Sequence, residues 1–270
     1  MNIKCICEKG GRPYNQDYVD YAVAGDYLCI AVADGLGAYD GSEDASETAV
    51  KRVTSLFRRA VKKEDDLFCG ALMNKMFKSA HSAIHKMKAD APELRSACTT
   101  LSVVIIGKDK LICAHTGDSR IYFFKNNVIE FYSKDHSLAR LAVEKGEITY
   151  SQIRNHPDQN KLTRVLGSDY FVQPDFKIYE GHTDKDAILV CTDGLWEYVL
   201  EGDMENTLAS TSSASEAMSE LIKIHDENAP AECDNFSAVL AFFGEQATTE
   251  ETKETTNEES TTLEENKSEN

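Results

Sequence analysis

Two long segments of helical period, residues 42–63 and 66–88, stand side by side between the second and third of eight short apolar runs rich in Val, Ile, Tyr and Phe. Those runs read as strands: Tyr18–Val23, Tyr27–Ala33, Thr99–Ile106, Leu111–His115, Ile121–Phe124, Val128–Tyr132, Ala187–Cys191 and Phe236–Phe243. Turn signals such as Ala24-Gly25-Asp26 and Gly107-Lys108-Asp109 divide them. In the first helical segment Ala45, Ala49, Val53, Leu56, Phe57 and Ala60 fall on one face; in the second Leu72, Met76, Phe77, Ala80 and Ile84 do. Shorter helices are expected over residues 137–145 and 213–225. Strands arriving as hairpin neighbours, with helices inserted in blocks, predict an α+β fold of antiparallel sheets covered by helices.

A chain of 270 residues that is 41% hydrophobic admits one domain of about 240 residues or two of roughly 120. No repeat or linker interrupts residues 1–245, so one domain is expected there. Residues 246–270 are Glu, Thr, Asn and Ser with one Leu and no aromatic residue. Such a stretch cannot bury enough apolar surface to offset its ordering entropy and is expected to be a disordered acidic tail. It carries eight Glu against two Lys, which leaves −11 of the net charge of −17 on the body. An acidic body repels phosphate backbones and anionic lipid surfaces, so neither nucleic acid nor membrane is an expected partner, whereas cations are.

Residues 1–17 hold no apolar core of signal-peptide length, and no apolar run approaches a membrane span, so a cytoplasmic protein, monomeric by default, is expected. The eight cysteines, at 5, 7, 29, 69, 98, 113, 191 and 233, are scattered, several inside strand-like runs. They read as reduced, mostly buried thiols. Cys5 and Cys7 lack a second Cys/His pair at zinc-ligand spacing.

Four aspartates stand at the edges of apolar runs beside small or turn-forming residues: Asp34 before Gly35, Asp118 after Gly117, Asp193 before Gly194, and Asp234 before Asn235. A lone Asp-Gly is a hairpin turn far more often than a metal ligand. Four carboxylates converging at strand ends would repel one another and raise their pKa values unless divalent cations neutralised them. Ligation by oxygen alone selects hard ions, Mg²⁺ or Mn²⁺, over zinc.

The ordered series Gly11-Arg12-Pro13-Tyr14-Asn15-Gln16-Asp17, Ala33-Asp34-Gly35-Leu36-Gly37, Thr99-Thr100, Gly117-Asp118-Ser119-Arg120-Ile121-Tyr122, Asp135-His136-Ser137, Leu162-Thr163-Arg164-Val165-Leu166-Gly167, Thr192-Asp193-Gly194-Leu195-Trp196 and Asp234-Asn235 resembles the metal-dependent protein phosphatases of the 2C type, especially compact bacterial members. The resemblance implies a four-layer α-β-β-α sandwich of two antiparallel sheets flanked by helices. It also implies hydrolysis of phosphoserine and phosphothreonine in proteins, and a cytosolic member that opposes a serine/threonine kinase. By position, Asp34 resembles the carboxylate bridging two Mn²⁺ or Mg²⁺ ions, with the Gly35 carbonyl on one of them. Asp193 and Asp234 resemble further ligands, and Asp118 resembles the residue that, with Asp193, holds a weaker third ion. Arg12 resembles the guanidinium gripping the substrate phosphate, a task suited to its planar fork of donors. Asp17 resembles an acid that orients the attacking water.

The implied mechanism is in-line attack on phosphorus by a water made acidic by two cations, with no covalent phosphoenzyme. No Cys-x5-Arg loop of the thiol phosphatases is present. Gln16 stands where the family commonly has an acid, Ala38 where it has a second glycine, and Cys98 where it has a small glycine. Leu36 takes the place of a histidine thought to protonate the leaving group in eukaryotic members, so no general acid is assigned. His115 reads as a core residue, His136 as structural, and Arg120 and Arg164 as structural donors. By the resemblance, residues 146–160 with His156 correspond to the flap beside the active site.

Two rival readings stand beside this one. Gln16 and the other departures motivate a catalytically weak, phosphatase-like regulatory binding module. A two-metal hydrolase of another phosphate ester is the second. Turnover of p-nitrophenyl phosphate in excess Mn²⁺ separates the first rival from an enzyme.

Overall fold

The computed structural model describes residues 1–36 and 40–244. The tail expected over residues 246–270, and Gly37 and Ala38, lie outside them. Ten strands form two five-stranded sheets in which every neighbouring pair is antiparallel. The first sheet runs β1 (Asn2–Glu8), β10 (Phe236–Phe242), β9 (Ala187–Cys191), β6 (Arg120–Lys125), β7 (Val128–Tyr132); the second runs β2 (Asp17–Ala24), β3 (Tyr27–Asp34), β4 (Leu101–Ile106), β5 (Lys110–Thr116), β8 (Asp175–Glu180). Six α-helices occur among the described residues: α1 (Ser42–Lys62), α2 (Gly70–Asp90), α3 (Leu138–Glu144), α4 (Asp193–Trp196), α5 (Glu201–Ser210) and α6 (Ala214–Asn228). Among the described residues no helix is long and apolar enough to cross a membrane.

The central strands show why the sequence reads as unbroken apolar runs: both faces are covered. On β3, Leu28, Ile30 and Val32 enter the core between the sheets with Ile121, Ile188, Val190 and Val239. Their neighbours Cys29, Ala31 and Ala33 turn to the opposite face, where α1 and α2 lay down Ala45, Ala49, Val53, Phe57, Met73, Met76 and Phe77. Small residues on that face let α1 approach closely. The outer face of the first sheet, with Tyr122, Leu189, Ala238 and Leu240, takes Met204, Leu208, Met218 and Leu221 from α5 and α6. Each large side chain so buried contributes about 1.5–3 kcal/mol, and three such cores make the α-β-β-α sandwich.

Most element boundaries match expectation, and the exceptions have local causes. The Asp66 carboxylate accepts the Phe68 amide at 3.0 Å, which makes a turn and delays α2 to Gly70. Thr99 leaves the β4 ladder to bridge Gly35 and Leu166. Strands β1 and β8 and helices α4 and α5 went unpredicted. β8 is exposed along five of its six residues; backbone pairing to β5 defines it, and burial does not.

Candidate functional site

Asp17 and Asp34 face each other across the β2–β3 ladder. The Asp34 carbonyl accepts the Thr100 amide at 2.9 Å and the Thr99 hydroxyl at 2.8 Å, and its own amide donates to the Thr100 hydroxyl at 2.9 Å. The Thr100 hydroxyl lies 2.7 Å from that of Ser119, so the Thr99-Thr100 pair ties the end of β3 to the β5–β6 turn carrying Asp118. That turn is fixed from the far side by the Trp196 indole, which donates to the Asp118 carbonyl at 3.0 Å.

Asp193 is the first residue of α4. Before it, the Thr192 hydroxyl donates to Asp17 Oδ2 at 2.8 Å and accepts the Ser237 amide at 2.9 Å. Beside Asp234, Asn235 donates to the carbonyls of Lys9 (2.7 Å) and Tyr14 (3.0 Å) and accepts the Gln16 amide at 2.8 Å. It thereby holds the loop that presents Arg12, whose Nη2 lies 2.7 Å from Asp234 Oδ2. The glycines after Asp34 and Asp193 are close-approach positions: a Cβ on Gly35 would strike the backbone of Ser42 and Gln16, and one on Gly194 the Asn235 carbonyl. Neither Asp-Gly is a hairpin turn.

Arg12, Asp34, Gly35, Asp118, Asp193 and Asp234 line one open pocket of about 1000 Å³. Asp17 lies behind them, buried. Burial is the first cause of raised pKa values here, and mutual repulsion adds to it. Asp34 and Asp118 are held well above the usual carboxylate range, with Asp193 the strongest charged contributor to both. Asp193 is pushed up to about 6, with Asp234 contributing after burial, while the Gly194 amide and then the nearby Asp34 carboxyl pull it back. Asp17 is pushed up to about 7 by burial, against the nearby Ser237 hydroxyl and the hydrogen bond from Thr192, which lower it.

An acid-rich pocket of this kind stabilises cations. The donors are all oxygen, and the buried Oδ1 atoms of Asp118 and Asp17 have no hydrogen-bond partner. Among the described residues no three His, Cys, Asp or Glu side chains close around one point; the acids ring the pocket. That arrangement fits Mg²⁺ or Mn²⁺, which retain several waters and take few protein ligands each.

The histidines lie elsewhere. His115 Nε2 is 2.8 Å from the Lys134 carbonyl, and its ring stacks on that of His136. Buried Arg120 makes a two-pronged pair with Asp135, at 2.8 and 2.7 Å, under the Trp196 ring. Arg164 pairs with Asp175 at 2.9 Å. All eight cysteines are free. From the segment 146–160, Asn160 reaches the pocket, whereas His156 does not line it. Arg154 anchors the segment to the Trp196 carbonyl at 2.9 Å and to Glu201 at 3.0 Å.

Sequence reasoning passed over Glu197, raised to about 8 by burial and by Asp193 and Asp234. Its signal was the four-residue spacing from Asp193, which puts both acids on one helix face. Lys88 and Arg95, which also line the pocket, carried no such signal.

A family model described as protein phosphatase 2C matches residues 8–241. The serine/threonine phosphatase stp of Listeria welshimeri is 32% identical over 187 residues, covering 69% of this chain and 74% of that protein. The protein phosphatase PhpP of Streptococcus pneumoniae is 28% identical over 251 residues, 91% of this chain and 99% of that protein. Among solved structures, the catalytic domain of the serine/threonine protein phosphatase PstP in complex with two manganese ions superposes with a TM-score of 0.74 at 23% identity, over 88% of this chain and 96% of that one.

Proposed function

The chain belongs to the protein phosphatase 2C family, and from that premise we propose that it hydrolyses phosphoserine and phosphothreonine in other proteins at the acid-ringed pocket. The observation that carries this reading is the convergence of Asp34, Asp118, Asp193 and Asp234, from four separate stretches of chain, on one pocket beside Arg12. Asp34, the Gly35 carbonyl, Asp193 and Asp234 would hold two Mn²⁺ or Mg²⁺ ions, and Asp118 with Asp193 a third.

When bound, such ions supply charge neutralisation at the phosphoryl oxygens and a water acidic enough to attack phosphorus near neutral pH. The chain's own residues do the rest. Arg12, half-exposed, turns its fork of donors from Asp234 to the phosphoryl oxygens. Asp17, its Oδ2 fixed by Thr192, offers Oδ1 as a proton acceptor and orients the nucleophile. Leu36 brings no proton to the leaving alkoxide, which takes one from water in the open pocket. Substrates include a serine/threonine kinase or that kinase's targets, met by a monomer in the cytoplasm.

A catalytically weak binding module is disfavoured by the placement of Gln16. Its backbone amide and carbonyl hold Asn235, Gly35 and Ser46, and its side chain donates to Glu43 at 3.2 Å. Gln16 does not line the pocket, so its neutral side chain leaves the acid ring whole. The test is hydrolysis of p-nitrophenyl phosphate and of phosphothreonine and phosphotyrosine peptides in Mn²⁺, Mg²⁺, Ca²⁺ and EDTA. Turnover of the phosphothreonine peptide that EDTA abolishes is expected; absence of turnover in excess Mn²⁺ overturns the reading.

A further inference from the structure

Besides its acids, the pocket is lined by three cations that the proposed chemistry leaves unused, Lys88, Arg95 and Lys161. In a chain of net charge −17 their pairing state matters. Lys161, also lining the pocket, is neutralised by Asp158 at 2.6 Å. Lys88 and Arg95 form no salt bridge among the described residues. The half-buried Lys88 ammonium donates to the Gly167 carbonyl at 2.5 Å and lies 3.9 Å from Cys98 Sγ. An ammonium has three donors and no acceptor, so one donor and the whole charge remain. Asp169 lines the same pocket and offsets part of this charge; the balance of Lys88, Arg95 and Asp169 stays positive.

Lys88 connects to the acids through Cys98. The Cys98 carbonyl accepts the Leu36 amide at 3.0 Å, and Thr99 bridges Gly35. Cys98, whose thiol the Lys88 ammonium meets, is therefore bonded to the residue two places after Asp34. Resting on the phosphatase reading, we propose that Lys88 and Arg95 form an anion subsite that selects phosphopeptides carrying a second negative charge, a carboxylate or another phosphate, near the scissile phosphoester. Extended peptide advances about 3.3 Å per residue, so a pocket of about 1000 Å³, about 10 Å across, spans about three residues of substrate. The subsite also answers an electrostatic problem: an acidic protein repels acidic peptides, and fixed cations beside the entry reverse that locally.

Lys88 also sits in the last turn of α2, where a cation complements the helix dipole. A purely structural lysine of that kind would affect all substrates alike. The test compares wild type, Lys88→Gln, Arg95→Gln and the double variant in Mn²⁺. The substrates are p-nitrophenyl phosphate and three phosphothreonine peptides, flanked by Gln, by Glu or by a second phosphothreonine. Wild type is expected to favour the Glu or bisphosphorylated peptide over the Gln peptide by about five- to tenfold in kcat/KM, the sum of two partly exposed ion pairs. The double variant is expected to lose that preference while p-nitrophenyl phosphate turnover stays put. A larger gain with the second phosphate than with Glu identifies phosphate as the source of the charge, and equal or larger gains with Glu identify carboxylate.

No preference in wild type, a preference that survives the double substitution, or an equal loss on every substrate including p-nitrophenyl phosphate each overturns the subsite. Failure of wild type to turn over any substrate in Mn²⁺ instead sinks the phosphatase reading on which it rests.

Discussion

Arg12 Nη2 lies 2.7 Å from Asp234 Oδ2, joining the expected phosphate-gripping residue to an expected metal ligand across 222 residues of chain. Both side chains are well exposed, at 50% and 39%, so the pair contributes at most about 1 kcal/mol. A bond that weak yields readily to a phosphoryl group. Arg12→Ala should raise KM more than it lowers kcat, because a phosphate grip also binds the ground state. A charge-assisted hydrogen bond of about 1.5–3 kcal/mol sets the loss in kcat/KM at about ten- to a hundredfold. Arg12→Lys should recover only part of it, lacking the fork. Steady-state kinetics on a phosphothreonine peptide decide; a pure kcat effect with unchanged KM would remove Arg12 from the phosphate.

The acid ring predicts how stability follows pH. Asp193 and Asp17, raised to about 6 and about 7, bind protons more tightly in the folded chain than in the unfolded one. Their favourable contribution is complete below the ordinary carboxylate pKa of about 4 and is lost as pH climbs through 6 and 7. EDTA-treated protein should therefore melt higher at pH 5 than at pH 8. Mn²⁺ at pH 8 should restore the difference, since binding to the native state alone stabilises it. Differential scanning calorimetry with and without Mn²⁺ measures both effects, and a chelated protein more stable at pH 8 than at pH 5 refutes the repulsion.

Asp193→Asn separates chemistry from folding. One carboxylate fewer relieves repulsion on Asp34 and Asp118, so Tm in EDTA at pH 8 should hold or rise. Turnover should fall by about a thousandfold, the several kcal/mol that a misplaced catalytic ion forfeits. Activity within tenfold of wild type at saturating Mn²⁺ is the outcome the proposed site does not survive.

How far the sequence revealed this site depends on which interactions are local. Asp34, Asp118, Asp193 and Asp234 were legible because each ends or adjoins an apolar run, and the family resemblance ordered them. Antiparallel sheets covered by helices were legible in the hairpin order of the strands and the block of two amphipathic helices, and the resemblance supplied the four-layer sandwich. Contacts between distant residues left no trace: Thr192 serves Asp17 across 175 residues, and Lys88 meets Gly167 across 79. Edge strands β1 and β8 stayed hidden for the reason that exposes them, since pairing along a sheet edge demands little burial. The one-turn α4 is too short for any period to show.

Thr192→Val tests the support behind the acids. The side chain is near isosteric but deprives Asp17 Oδ2 of its donor and the Ser237 amide of its acceptor, both buried. Leaving such groups unpaired costs about 1–3 kcal/mol, a measurable drop in Tm. A supporting hydrogen bond behind a metal site also commonly governs activity by about 10- to 100-fold, so kcat should fall with KM little changed. Thr192→Ser, which keeps the hydroxyl, should recover most of the turnover; equal defects in the Val and Ser variants would deny the hydroxyl any part in positioning Asp17.

Arg120 and Asp135 test the expectation that this arginine is structural. Both are buried, joined by hydrogen bonds of 2.8 and 2.7 Å, and the guanidinium lies 3.5 Å from the centre of the Trp196 ring. Trp196 in turn bonds the Asp118 carbonyl, so the pair braces the β5–β6 turn without touching the pocket. Asp135→Ala leaves the buried Arg120 guanidinium only its 3.4 Å contact with Glu201 as an ion pair, at a cost of about 3 kcal/mol, which in a domain of this size lowers Tm by about 10 °C. Replacing both partners, as in the double variant Arg120→Met with Asp135→Leu, removes the stranded charge and should win back much of that loss. Specific activity of the soluble fraction should fall far less in either variant than in Asp193→Asn, because no ligand is removed. If Asp135→Ala melts with wild type, the buried pair is not what holds Asp118 in place.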